Sequence, residues 1–408
     1  MRLLVTTNGI WYSGAQISTN EFLSFLTNLK SIEVKMVSCL GGKFISSLAN
    51  VEIHRVPCWS SGALLHMKTD SVFEQLIRWA DVVWIATGEF AVAKEIKRIK
   101  KLPVVAHLHS YEPICPIIWF SYGFNGVCGK ECSPWLLIRC KQETNIELAR
   151  IGLLNRFRAE AYWLLDFGKG PLDYYGWRRV MDSAVDSIDF FIAVSRATRD
   201  IIVSHLPEVR DKIEVVYNPV AHRPWRYVSS FPDESSDYVL YASGANPLKG
   251  PHILLNALKI LLNEGIDMKL YMTGTSNSWL EGLARRLGVE GQVKFLSKLP
   301  DTEYFSMMAK AKALALPSIW PEPLPSVAIE SISLGVPVVG SNRGGIPEIV
   351  GNYGITTNPT PEEVAKAIST VIEQRFDKHE MKRYAAQKFG EGNAEKFLQI
   401  LSSVKVST

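Results

Sequence analysis

No stretch of this 408-residue chain holds 18 or more uninterrupted apolar residues, so the sequence offers no membrane-spanning helix. The opening apolar run, Leu3-Leu4-Val5, is too short for the core of a secretion signal, and no small-residue cleavage site follows it. The expectation is a protein that works where it is made, cytoplasmic or at the inner face of the membrane. An excess of one charge is also missing: 45 Lys and Arg face 41 Asp and Glu, for a net charge of +4. That balance is too even for a chain held on nucleic acid by charge. No G-x-G-x-x-G follows a strand candidate, which argues against a nicotinamide-dependent oxidoreductase.

Cysteine is sparse, six in all, yet Cys128, Cys132 and Cys140 run C-x3-C-x7-C with Cys115 upstream. Zinc held by these four, a disulfide, and a loop of reduced thiols are the alternatives. The spacing departs from a zinc knuckle, and reduced thiols suit a chain without an export signal. His107 and His109 form an H-x-H pair without acidic or cysteine partners at matching spacing, so a metal there is disfavoured.

What is present is alternation. Hydrophobic residues make up 47% and charged residues 21%, the balance of a folded globular chain. Short apolar runs such as Leu3–Thr7, Val82–Ala86, Pro103–His109, Tyr238–Ser243 and Ala313–Pro317 alternate with helical patterns. Continuous rather than alternating apolarity predicts parallel strands covered on both faces. Pro251 opens one helix, with Ile253, Leu254, Leu258 and Leu261 on its apolar face. The pattern occurs twice, interrupted by a proline- and serine-rich stretch. We therefore expect an α/β protein of two doubly wound, Rossmann-like domains, residues 1–220 and 237–380, with a linker at 221–236 and terminal helices over 381–408. Open parallel sheets bind ligands at their carboxyl edges, which places the site in the cleft between the domains.

Glu147–Ser187 breaks the alternation, with Leu153, Trp163, Tyr174, Tyr175 and Trp177 interleaved with Arg150, Arg156, Arg158, Arg178 and Arg179. Two readings stand: a basic amphipathic face on an anionic membrane, or a helix packed on the core with a solvated basic edge.

The most informative stretch is Pro317-Ser-Ile-Trp-Pro-Glu322-Pro-Leu-Pro-Ser-Val-Ala-Ile-Glu330, an apolar strand's exit running into a helix. Free amides at Ser326 and Val327 would meet an anion there with the positive end of the helix dipole. Carboxylates on either side, Glu322 and Glu330, suit hydroxyl-bearing groups flanking a phosphate.

Glu322-x7-Glu330 within this motif, followed by Gly335-Val-Pro-Val-Val and Gly344-Gly-Ile-Pro-Glu348, resembles the retaining glycosyltransferases of family 4, which have the GT-B fold. Lys249-Gly250, Val293-Lys-Phe-Leu296, Ile192-Ala-Val-Ser195, Asn218-Pro-Val220 and His107-Leu-His-Ser-Tyr111 add matches in the right order. The resemblance implies transfer of a hexosyl or N-acetylhexosaminyl group from a UDP- or GDP-sugar to a glycan, glycolipid or lipid-linked acceptor. It implies no required cofactor or metal, because lysine and helix amides carry the diphosphate. It assigns His109, Glu322 and Lys249 to catalysis, and Gly14, Gly244, Lys249, Leu296, Leu324, Ser326, Val327 and Glu330 to the nucleotide sugar. The first domain takes the acceptor, the second takes the nucleotide sugar, and the terminal helices cross back to the first. Four positions depart from the pattern: Gly244 for an arginine, Ser110 and Ala221 for aspartates, and Pro325 for a glycine. Arg343 is the candidate replacement for the missing cation. A sugar phosphorylase, a nucleotide-sugar epimerase and a non-catalytic partner subunit are the alternatives within the fold.

Overall fold

The computed structural model describes residues 1–9, 14–40, 51–61, 64–67, 69–88, 90–118, 120–122, 128, 129, 131–154, 156–232, 236–275 and 278–406. In chain order its strands are β1 Arg2–Gly9, β2 Glu33–Leu40, β3 Glu52–Arg55, β4 Cys58–Ser61, β5 Leu64–Met67, β6 Val82–Thr87, β7 Val104–Leu108, β8 Phe190–Ala193 and β9 Ile213–Val215. The second series runs β10 Tyr238–Tyr241, β11 Lys269–Thr273, β12 Val293–Leu296, β13 Ala313–Leu316, β14 Val338–Ser341 and β15 Gly354–Thr357. They form two sheets, ordered β3-β2-β1-β6-β7-β8-β9 and β12-β11-β10-β13-β14-β15, and a separate β4–β5 hairpin. Pairing within both large sheets is parallel.

The continuous apolar runs explain this. Each residue of β6, β7, β10 and β13 is buried, as expected when helices cover both faces. Each sheet therefore has a core on either side. Strand order reverses between β1 and β6 and again between β10 and β13, so each sheet has a crevice where neighbouring connections diverge. Loops following β1, β10 and β13 carry Gly14, Lys249 and Glu322 into those crevices.

The β4–β5 hairpin and β15 are not among the expected strands, and the linker and the basic aromatic segment gain detail. At the sheet's edge β15 needs only one large apolar residue, Ile355, and every position is only half-buried. Residues 221–228 are not a free tether: Val220 and Ala221 sit in the second domain's core, and Trp225 Nε1 donates to Ser333 Oγ at 2.8 Å. The basic aromatic segment takes in the end of the Pro134–Arg150 helix and the Arg156–Asp186 helix, which lie against each other; the side chains of Arg156, Arg158 and Trp163 lie outside the described residues. Trp177, Met181, Ala184 and Val185 pack into the first core, while Trp135, Leu172 and Tyr175 are 65%, 74% and 63% exposed.

The final helix, Gly392–Ser403, contributes Ala394, Phe397, Ile400 and Leu401 to the core against β1, β6 and β7 of the first sheet. No described helix is long and apolar enough to cross a membrane.

Candidate functional site in the cleft

Lys249 ends a short 3-10 turn after β10, and Gly250 follows with φ of 75°. A Cβ at Gly250 would lie 2.0 Å from the Pro317 carbonyl oxygen, so only glycine lets this turn settle on the loop after β13. Leu248 O then accepts the Ile319 amide at 2.8 Å, joining the two loops. Lys249 Nζ consequently reaches Glu322 Oε1 at 2.5 Å and lies 4.8 Å above the Trp320 ring. Ser318 Oγ donates to the same carboxylate oxygen at 2.9 Å. Glu322 is 4% exposed, and such a charge is tolerated because a cation and a hydroxyl meet it.

The loop after β14 covers this pair from behind. Gly345 N donates to Glu322 O at 2.7 Å, and a Cβ at Gly344 would lie 2.2 Å from that carbonyl oxygen. The paired glycines are thus required by backbone packing. Arg343 precedes them, half-buried, with its Nε buried and without a hydrogen-bond partner.

Two helix N-termini converge nearby. The Ser326–Ser333 helix starts from Pro325 with no side-chain cap, which leaves its leading amides unpaired within the helix. Ser326 Oγ is buried without a partner, and a Cβ on Gly14 would lie 3.8 Å from it. Gly14 begins the Gly14–Thr27 helix of the first domain; Ser13 lies outside the described residues. Both dipoles therefore present their positive ends to the same region. Val327 is half-buried on the second core, and Leu324 is buried with its carbonyl accepting Asn218 Nδ2 at 3.5 Å.

Gly244 has φ of 73° and its carbonyl accepts the Tyr241 hydroxyl at 2.9 Å. Gly274, with φ of 67°, approaches it from β11's end. An arginine at 244 would be strained in this left-handed turn. Leu296 closes β12 and accepts the Thr275 amide at 3.3 Å.

Glu330 stands one turn into its helix, 2% exposed, and bonds Arg223 at 2.5 Å. His109 lies just past β7 with its ring centroid 4.3 Å from that of His107, the planes tilted by 38°. Its Nε2 is buried without a partner, and desolvation holds its pKa down to about 3. His107 is a core residue, fully buried against Phe22, Trp84 and Phe397, and burial keeps it neutral. Tyr111, two residues beyond His109, meets Trp320 edge-on at 6.4 Å, which brings the β7 loop against the Glu322 loop.

The structure thus joins Lys249 to Glu322 and sets Gly14 opposite Ser326. It turns Glu330 toward Arg223, and the described contact of His109 is with His107. Sequence reasoning missed Ser318 and Trp320, which lie inside the quoted motif, and Arg223 and Asp301, which carry no periodic signal. Glu348 closes the Gly344–Glu348 motif, which by itself assigns it no role. It spans the domains, accepting the Arg196 and Ala197 amides at 3.1 and 2.8 Å and the Tyr217 hydroxyl at 2.9 Å.

Cys115, Cys128, Cys132 and Cys140 are free thiols, and burial pushes Cys115 and Cys132 up to about 12. Among the described residues no group of three or more His, Cys, Asp or Glu is arranged to hold a metal ion.

Residues 12–223 match the family described as Glycosyltransferase Family 4, and residues 228–388 match Glycosyl transferases group 1. Spore coat protein SA of Bacillus subtilis is 25% identical over 226 residues, which are 49% of this chain and 60% of that protein. Glycogen synthase of Mycobacterium tuberculosis is 29% identical over 185 residues, 45% of this chain and 44% of that one. The chain spans about half the length of the curated relatives it matches. Among solved structures, Anabaena HepE in complex with UDP superposes with a TM-score of 0.67 at 19% identity, covering 99% of this chain and 100% of that one. HepE has also been solved with UDP-glucose.

Proposed function

The chain belongs to glycosyltransferase family 4, and we propose that it transfers a sugar from a nucleotide-sugar donor to an acceptor hydroxyl with retention at the anomeric carbon. One observation carries this reading: a buried carboxylate and a lysine, Glu322 and Lys249, are held together where two helix N-termini face each other across the cleft.

In this proposal the donor diphosphate takes Lys249 and the Ser326 and Val327 amides, and Gly14 leaves room for its approach. The leaving group gains negative charge as the glycosidic bond breaks, and a fixed cation with aligned amides stabilises that change. Diphosphate binding draws Lys249 from Glu322, which is then free to accept the sugar's hydroxyls. Glu330 receives the ribose, while Gly244, Leu296 and Leu324 border the nucleotide. His109, neutral throughout the physiological range, borders the sugar and the acceptor. The acceptor oxygen bonds the anomeric carbon on the face that the phosphate leaves, and the acceptor proton passes to the departing phosphate oxygen. These groups supply the charge stabilisation without a divalent metal. The HepE complexes support a UDP-sugar as the first donor to try. Exposed Trp135, Leu172 and Tyr175 beside Arg178 and Arg179 support a lipid-linked or membrane-surface acceptor.

The test is turnover of a nucleotide-sugar panel with EDTA present. Transfer is expected in the wild type and should fall at least a thousandfold in Glu322→Gln, Glu322→Ala and Lys249→Ala. Circular dichroism checks that each variant is folded. Near-normal turnover in a folded variant would sink the assignment, and dependence on inorganic phosphate would redirect it to a phosphorylase.

A further inference from the structure

The linker presses a charged side chain against the second carboxylate of the site. Arg223 lies in the 3-10 turn Arg223–Arg226 and is 5% exposed. Its Nη1 donates to Glu330 Oε1 at 2.5 Å and its Nη2 to Asp301 Oδ2 at 2.9 Å. The guanidinium also lies 4.8 Å over the Phe305 ring. Two helices of the second domain, Asp301–Lys310 and Ser326–Ser333, thereby fix a side chain that originates in the linker. The same turn grips the first domain, because Arg226 bonds both oxygens of Glu21 at 2.9 and 2.6 Å, with His222 Nε2 3.2 Å from that carboxylate.

Glu330 uses one oxygen for Arg223, and its Oε2 has no hydrogen-bond partner among the described residues. A well-packed apolar pair of similar volume would serve stability as well as this ion pair does. What an apolar pair would lack is an ionised oxygen still able to accept hydrogen bonds. Without its arginine, a carboxylate this deeply buried would take up a proton and lose half its accepting capacity.

We propose that Arg223 is a positioning residue for nucleotide recognition: it orients Glu330 and favours its ionised form, with Oε2 left to receive a ribose hydroxyl. The inference rests on reading Glu330 as the ribose carboxylate. Arg223 touches no part of the nucleotide itself; it acts through Glu330, and Asp301 and Phe305 hold it in register.

Calorimetry of UDP, GDP and their 2′-deoxy counterparts tests this in the full chain. The wild type should bind one ribonucleotide roughly tenfold tighter than its 2′-deoxy form, the size of a single charge-assisted contact. Glu330→Gln should collapse that ratio to below about threefold. Arg223→Gln should collapse it as far while leaving 2′-deoxy binding within about twofold of wild type, and Arg223→Lys should restore part of it. Equal weakening of both forms in Arg223→Gln, or an unchanged ratio, overturns the positioning role and leaves the Glu330 assignment standing. An unchanged ratio in Glu330→Gln overturns that assignment itself, as does absence of wild-type binding to either nucleotide. If Arg223→Gln fails to fold, Asp301→Asn carries the test: it loosens the guanidinium without stranding Glu330, and an unchanged ratio there overturns the proposal.

Discussion

Glu330 shows how a single side chain's surroundings set its chemistry. Desolvation pushes its carboxyl up to about 7; Arg223 pulls the other way, while Asp301 and Glu21 add to the rise. A carboxyl raised in the folded state holds its proton there at pH values where the unfolded chain has released it. Its contribution to stability is therefore present below the ordinary carboxylate value and lost as pH rises through about 7. Nucleotide binding, on the reading above, runs in the opposite sense, because the ionised form accepts more hydrogen bonds. UDP affinity measured by calorimetry should rise from pH 6 to pH 8 more steeply in the wild type than in Glu330→Gln, where only the ionisation of the terminal phosphate remains. A parallel rise in both proteins would remove Glu330 as its source. Stability curves would not separate the cause, since burial also raises Glu112 to about 7. His109 takes no part in this limb, being neutral well below it. At this scale the sequence marked the carboxylates through the contiguous Glu322–Glu330 motif, and the lysine through the separate Lys249-Gly250 element 73 positions before Glu322. It did not mark Arg223, whose partners lie 78 and 107 positions away.

Among the elements, the terminal helix tests how packing outweighs propensity. Phe397 is fully buried, its ring 4.7 Å from both Phe22 and Trp84 and 6.0 Å from His107. A short isolated helix is marginal in water, so Gly392–Ser403 persists through this tertiary contact. Phe397→Ala should destabilise the protein by about 3–5 kcal/mol, read as a lowered denaturant midpoint. Leu398→Ala, at a half-buried neighbour, should cost less. A loss below about 1 kcal/mol at Phe397 would show the helix to be undocked. Its existence and apolar face are legible from spacing, and so are most strands. The edge strand β15 was not, since one isoleucine among glycine and threonines gives no run to see.

Across the whole molecule, the domains are held by polar contacts and by apolar residues that cross between cores. Trp320 of the second domain packs in the first core, and Val194 of the first packs in the second. Glu348 adds a charged contact at the N-terminus of the Arg196–His205 helix, where the dipole favours an anion. Glu348→Ala should therefore loosen the free protein, giving a larger radius of gyration by small-angle scattering. A saturating nucleotide sugar should restore compaction if, as proposed, its diphosphate sits between Gly14 and Ser326. No change with either the substitution or the ligand would show that the cleft does not open.

Two parallel sheets, their order along the chain and the carboxylate and lysine motifs were determined by the sequence alone, because apolar periodicity and contiguous motifs are local properties. Only the tertiary structure decided which residues meet: Lys249 with Glu322, Gly14 with Ser326, Arg223 with Glu330, and a linker whose Ala221, Arg223 and Pro224 are buried. Those pairings depend on two strand-order reversals and on where the last helix docks. They are set by burying both faces of each sheet at once, and no single stretch of sequence encodes that.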